Sequence, residues 1–230
     1  MKNDGAALLA VLRRELTKSA DPSRAAGMQA YMKSTMPYLG VSAVPLRAVC
    51  KKVFADYPFS SVRPWQRDVM HLWRSAQHRE ERYGALELSG DKRARAFHTL
   101  EILPMYEEII VSGAWWDYVD TVATHRLDHI LRAEPKAMKR AMLTWSRSDD
   151  MWKRRSSILC QITFKEETDL DLLYRCIAPS LSSKEFFLRK AIGWALRQYA
   201  WTDPREVVRY VREHDAELSG LSKREALKNV

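Results

Sequence analysis

Long apolar runs and glycines are scarce in this chain of 230 residues. No run of about 18 apolar residues occurs, so no segment is predicted to span a membrane. Only eight glycines are present, and no Asn-Gly or Asp-Gly turn lies between alternating apolar runs, as a β-hairpin would require. These absences argue against β-hairpins and against a membrane-embedded protein.

Cysteine is also rare, with only Cys50, Cys160 and Cys176, all far apart. This spacing forms neither a disulfide framework nor a CxxC metal site, and it suits a reducing cytoplasm. The first residues, MKNDGAALLAVLRREL, carry charges too early for a signal peptide. His125 and His129 are four residues apart, but Arg126 stands where a HExxH zinc site needs glutamate. We therefore expect a cytoplasmic protein with no metal and no cofactor.

Charge of one sign is in excess. The chain has 38 Lys and Arg against 29 Asp and Glu, a net charge of +9, and 46% of its residues are hydrophobic. The hydrophobic fraction is enough for a folded core. The basic excess favours a polyanionic partner, namely nucleic acid, an anionic membrane or an acidic protein, over a merely basic soluble protein.

Helical periodicity runs through nearly the whole chain. Apolar residues recur every three or four positions in segments such as LLAVLRREL, RDVMHLW, MKRAMLTW and VVRYVREH, and prolines mostly stand where such segments begin or end. An all-α fold is therefore predicted. No Gly-, Ser- or Pro-rich hinge divides the chain, so a single domain over residues 1–230 is expected.

Three segments resemble one another: HREERYGALEL, MWKRRSSILCQ and FFLRKAIGWAL. Arg82, Arg155 and Lys190 occupy the same basic position in them, at spacings that suggest a period of about 36 residues. Such a period is typical of an α-solenoid of HEAT-like antiparallel helix pairs. Equivalent helices would then line one concave, basic face, and the segment AWWDYVDTVA falls where the missing copy belongs.

The segment GAWWDYVDTV sets tryptophans beside carboxylates. Trp116 and Asp120 are four residues apart and share one helix face, whereas Trp115 points away and is expected in the core. An unpaired buried carboxylate is costly, so Asp120 needs a cation. Arg155 could supply it as a structural salt bridge, or a ligand could. A carboxylate beside tryptophan faces would also stabilise the oxocarbenium character that develops when an N-glycosidic bond is cleaved.

At these residues the chain resembles the HEAT-like-repeat DNA glycosylases of the alkylation-repair AlkD type. The resemblance covers nearly the whole chain and rests on a set of segments: AYMKSTMPYLGV, WWDYVD, MWKRRSSIL, FFLRKAIGWALRQYA and LSKREALK.

The resemblance implies a hydrolase that excises positively charged N3- or N7-alkylated purines from double-stranded DNA without extruding the base into a pocket. It implies Asp120, Trp116 and Trp194 as the catalytic residues, with Arg155 beside them. Tyr31 and Arg197 match residues expected near the DNA, and Arg155, Lys190 and Arg82 join them as DNA contacts. We expect a monomer that associates with the nucleoid.

The resemblance leaves an alternative interpretation open. Some proteins of this fold lack the catalytic residues, so a non-catalytic HEAT-repeat scaffold for DNA, RNA or an acidic protein is the competing hypothesis. After Arg155 the chain reads CQITFKEE, where the resemblance leads us to expect more lysine. Since all four residues of the catalytic cluster are present, the enzyme is the preferred interpretation.

Overall fold

A computed structural model describes residues 5–230, and every regular element in this range is a helix. The α-helices are α1 (Gly5–Lys18), α2 (Pro22–Tyr31), α3 (Ala43–Val53), α4 (Val62–Arg74), α5 (Arg79–Ser89), α6 (Leu103–Gly113), α7 (Trp116–His125), α8 (Leu127–Ala133), α9 (Pro135–Trp145), α10 (Met151–Leu159), α11 (Leu170–Ile177), α12 (Phe186–Tyr199), α13 (Pro204–Glu213) and α14 (Gly220–Ala226). Short 3₁₀ helices cover Lys92–Phe97, Leu100–Ile102, Lys165–Glu167, Ala178–Ser180 and Leu227–Asn229. The predicted all-α fold is confirmed, and the arrangement is consistent with a solenoid-like fold.

The helix starts follow from the sequence. Pro22, Pro135 and Pro204 occupy the first helical position, where a missing N–H costs nothing. Asp169 caps α11 by accepting a hydrogen bond from the Leu172 N–H at 3.1 Å, as its position before an apolar run predicts. Ser222, followed three residues later by Glu225, has the sequence spacing of a capping box that would open the last helix, but this prediction is wrong. Ser219 caps α14 instead, and residue 225 lies inside the helix.

The chain divides into two compact units, Met1–Phe97 and His98–Val230. In the first unit, α1 packs against α3, α4 and α5. In the second unit, α7 packs against α10, α10 packs against α12, and α12 makes its most extensive contact with α14. Helices α7, α10 and α12 therefore pack in a row, and they carry the candidate site residues of the second unit. A single domain over the whole chain stays a prediction.

Four tryptophans outside the WWD segment were expected to fill gaps between helices. All four are buried: Trp65, Trp73, Trp145 and Trp152. No helix among residues 5–230 is long and apolar enough to cross a membrane.

Candidate active site

A sharp turn between α6 and α7 places Trp116 and Asp120. Ala114 adopts the left-handed conformation, with φ 42° and ψ 39°, and its N–H closes α6 on the Ile110 carbonyl at 3.0 Å. Trp115 follows in an extended conformation and precedes α7. Trp116 is therefore the first residue of α7, and Asp120 lies one turn further along the same face.

Arg155 on α10 supplies the cation that Asp120 needs. Its Nε donates to Asp120 Oδ1 at 2.7 Å, and its Nη2 donates to Oδ2 at 2.8 Å. The third nitrogen, Nη1, donates to the backbone carbonyl of Phe187 on α12 at 2.5 Å. One guanidinium thus joins α7, α10 and α12 through charge-assisted hydrogen bonds.

Burial of the pair is uneven. Arg155 is only 4% exposed, whereas the Asp120 side chain keeps 15% of its surface accessible. Burial raises the pKa of the Asp120 carboxyl above its usual value, and the hydrogen bonds and charge of Arg155 oppose that rise. Because both carboxylate oxygens accept N–H groups, the geometry is that of the ionised carboxylate. Each carboxylate oxygen accepts one of these N–H groups and retains a second acceptor site.

An aromatic cluster packs behind this pair. Trp115 lies 5.5 Å from Phe187 and 6.3 Å from Trp152, measured between ring centroids, and the Trp152 and Phe187 rings are 4.9 Å apart. The Arg155 guanidinium lies 5.9 Å from the Phe187 ring centroid. Trp115 is half-buried and its Nε1 has no hydrogen-bond partner among the described residues. Trp115 therefore packs on the cluster but is only half-buried, whereas the sequence predicted a core residue.

Trp194 lies on the face of α12 that contacts Arg155. Phe187 and Trp194 are seven residues apart, nearly two full turns, so they lie on one face. Trp116 and Trp194 are both half-buried. Among residues 5–230, neither ring stacks on another aromatic ring and neither indole N–H has a hydrogen-bond partner. Their polar edges and part of their faces are therefore accessible to a ligand.

Lys190 and Arg197 lie on either side of Trp194 along α12, and both bind one carboxylate. Arg197 Nη1 donates to Glu225 Oε2 at 2.7 Å, and Lys190 Nζ lies 3.2 Å from the same oxygen. Lys228 Nζ donates to the other oxygen at 2.6 Å. The role of Glu225 was missed in the sequence, because its spacing from Ser222 imitates a capping box.

Tyr31 and Arg82 belong to the first unit. Tyr31 ends α2 and is 76% exposed. The backbone segment after it is held by the buried Glu80, which accepts N–H groups from Leu39, Gly40 and Val41 at 2.9–3.1 Å. Arg82 lies in α5 with its guanidinium 4.6 Å from the centroid of the Trp73 ring.

The structure thus brings Asp120 and Arg155 into direct contact, with Trp194 on the adjoining helix and Trp116 one turn before the carboxylate. Lys190 and Arg197 share a second carboxylate in the same unit. Asp120, Arg155 and Lys190 are each the fifth residue of their helix, at 116–120, 151–155 and 186–190. Arg82, the third basic residue of the predicted repeat, is the fourth residue of α5, so the helix bounds match the repeat at Arg155 and Lys190 only.

Comparison with known proteins identifies the family. Residues 12–230 match the model of a family described as DNA alkylation repair enzyme. A solved structure, a predicted DNA alkylation repair enzyme from Enterococcus faecalis, is 28% identical and superposes with a TM-score of 0.81 over 91% of this chain and 96% of that chain. No curated protein matches the chain. With the match spanning nearly its whole length, the chain belongs to the DNA alkylation repair enzyme family.

Proposed function

We propose that the protein is a DNA glycosylase that hydrolyses the N-glycosidic bond of N3- or N7-alkylated purines in double-stranded DNA. The observation that carries this proposal is the Asp120 carboxylate, fixed by two hydrogen bonds from a buried arginine and still partly accessible. A purine alkylated at a ring nitrogen already carries positive charge. It can leave without protonation, so one carboxylate and no general acid is sufficient.

The Asp120–Arg155 pair acts as an oriented dipole. Arg155 lies on the buried side, so the negative end of the pair faces the accessible side. An oxocarbenium that develops there meets preorganised negative charge, which needs no reorganisation during the reaction. The remaining acceptor sites of the carboxylate bind and orient the attacking water. In this proposal Arg155 holds the carboxylate. Its three guanidinium nitrogens already donate to Asp120 and Phe187, which argues against direct contact with a DNA phosphate.

In the proposal, Trp116 and Trp194 lie beside the deoxyribose of the damaged nucleotide. Their partly accessible rings pack against the deoxyribose, and their π faces add to the attraction for developing positive charge. Packing against the sugar lets the base stay in the duplex, so no base pocket is needed. The reaction uses neither a metal nor an organic cofactor.

Binding to DNA is assigned to basic residues on what we propose is a concave face. Lys190 and Arg197 flank Trp194 in the second unit, and Tyr31 and Arg82 are the proposed DNA contacts of the first unit. The net charge of +9 supplies the long-range attraction to phosphates. In this proposal the protein works as a monomer in the cytoplasm, associated with the nucleoid.

Release of free base tests the function directly. The wild-type protein is incubated with methylated duplex DNA in a chelating buffer, and released bases are separated by chromatography and detected by mass. We expect 7-methylguanine or 3-methyladenine above the level released from DNA alone, with unmodified bases retained. Tight DNA binding without any release would instead favour the non-catalytic scaffold.

Salt dependence tests the partner separately. The logarithm of the DNA association constant should fall steeply with the logarithm of salt concentration, because phosphate contacts release counterions. A flat dependence would exclude DNA as the principal partner under either hypothesis.

A further inference from the structure

Glu225 gathers three cations around one buried carboxylate. Its side chain is 8% exposed, and its contacts are Lys190, Arg197 and Lys228, at 2.6–3.2 Å. The hydrogen bonds and charges of Lys228 and Lys190 hold the pKa of the Glu225 carboxyl below its usual value against the opposing effect of burial. The cluster therefore keeps a surplus of positive charge, since three cations face one carboxylate.

The position of this cluster on α12 relates it to the candidate active site. An α-helix turns about 100° per residue, so Lys190, Trp194 and Arg197 lie within about 60° of one another on α12. Gly193 lies next to Trp194 and faces α14. A Cβ at Gly193 would collide with the Cβ of Glu225 and approach the Ser222 carbonyl oxygen at 3.0 Å. The helix that carries Glu225 therefore packs directly beside Trp194.

We infer that Glu225 is a positioning residue: it holds Lys190 and Arg197 on either side of Trp194, in the orientation that grips the phosphates flanking the damaged nucleotide. This inference rests on the proposed function and extends it to a residue that touches neither sugar nor base. Long basic side chains are conformationally free on an open helix surface, and a buried carboxylate removes that freedom before DNA arrives.

Two simpler roles make different predictions. A counter-charge that only lowers repulsion among the three cations should be replaceable by any carboxylate. If Glu225 only ties α12 to α14, its replacement should lower the free energy of unfolding. It should not slow base release relative to DNA binding. Glu225→Asp separates these roles, because it keeps the charge and withdraws the carboxylate by one methylene from Lys190 and Arg197.

The test compares E225Q and E225D with the control E213Q. Glu213 is an exposed carboxylate on α13 that pairs with Arg209, so its replacement makes the same charge change elsewhere in the unit. At saturating protein, E225Q and E225D should both slow single-turnover base release roughly ten- to hundredfold, as misplacement of positioning groups does. Binding of E225Q to undamaged duplex should be equal to or tighter than wild type, because negative charge is removed. E213Q should match wild type in release.

A double-mutant cycle tests whether Glu225 influences base release through Lys190 and Arg197. In the background K190M/R197M, E225Q should not slow base release any further. Equal effects of E225Q with and without the two cations would overturn the inference, and so would an E225D that behaves as wild type. Thermal unfolding of each variant identifies a purely structural role, which would also overturn it.

Failure of the proposed function is distinguishable from failure of this inference. If wild type binds duplex DNA and releases no base, the glycosylase proposal fails. E225D, which keeps the charge, is then compared with wild type for affinity to alkylated duplex. Weaker binding that disappears in the K190M/R197M background supports the inference, and an affinity equal to wild type overturns it.

Discussion

Arg155 holds the carboxylate of Asp120 with two parallel hydrogen bonds, at 2.7 and 2.8 Å, while its third nitrogen binds the Phe187 carbonyl. The guanidinium of Arg155 on α10 therefore binds both α7 and α12. Because the arginine is buried and the aspartate is partly accessible, the pair both stabilises the unit and presents negative charge to a ligand. The predictions below separate these two consequences.

Arg155→Met should destabilise the protein by about 3 kcal/mol, because it leaves Asp120 largely buried without a partner. The double variant R155M/D120N should recover part of that loss, since no unpaired charge remains. Urea unfolding measures both free energies of unfolding. A double variant no more stable than R155M would show that the loss comes from packing and not from charge.

The rate of base release should depend on the protonation of Asp120. Burial raises the pKa of this carboxyl above its usual value, so the active ionised form is present above that pKa and is lost as pH falls through it. The loss should therefore begin at a higher pH than for an exposed aspartate, whose pKa is about 3.9. Release rates are measured against pH with spontaneous depurination subtracted. An unchanged rate down to about pH 4 would contradict the role of Asp120.

The helices and much of the candidate site could be predicted from the sequence because both depend on local spacing. The four-residue interval between Trp116 and Asp120 sets their common face, and an aspartate in an aromatic setting requires a cation. Which of the possible cations it takes is a tertiary question, and the packing of α10 against α7 and α12 decides it in favour of Arg155.

Glu225 shows where local reasoning fails. Serine followed three residues later by glutamate indicates a capping box, yet two of the three cations that bind Glu225, Lys190 and Arg197, come from α12, and Arg197 lies 28 residues earlier in the chain. One local signal existed: Gly193 inside an otherwise strong helix pattern indicates a close approach of another backbone.

Trp115 and Trp116 should respond differently to truncation although they are adjacent. Trp115→Ala should cost about 3 kcal/mol of stability, because the ring packs on Trp152 and Phe187. Trp116→Ala should cost about 1 kcal/mol and slow base release roughly a hundredfold. Thermal unfolding and single-turnover release on the same preparations measure both. Equal stability losses with equal rate losses would contradict the division of roles.

Gly193→Ala should destabilise the second unit by about 1–3 kcal/mol, because the new methyl group collides with Glu225 on α14. Gly27→Ala in α2 is the matched control. A Cβ there meets nothing within 4 Å, so this change should stabilise the protein by about 0.5–1 kcal/mol. Thermal unfolding compares the two. Stabilisation by both changes would show that α12 and α14 are less closely packed than described.

The most direct test of the central claim is single-turnover release of alkylated base at saturating protein by wild type, D120N and D171N. Asp171 is an exposed carboxylate of the same unit that pairs only with Arg175 on its own helix, so D171N controls for charge. We predict that D120N slows release at least roughly a hundredfold while binding undamaged duplex as tightly as wild type or more tightly, and that D171N matches wild type. Release by D120N at the wild-type rate would contradict the account and make Asp120 and Arg155 a structural pair only.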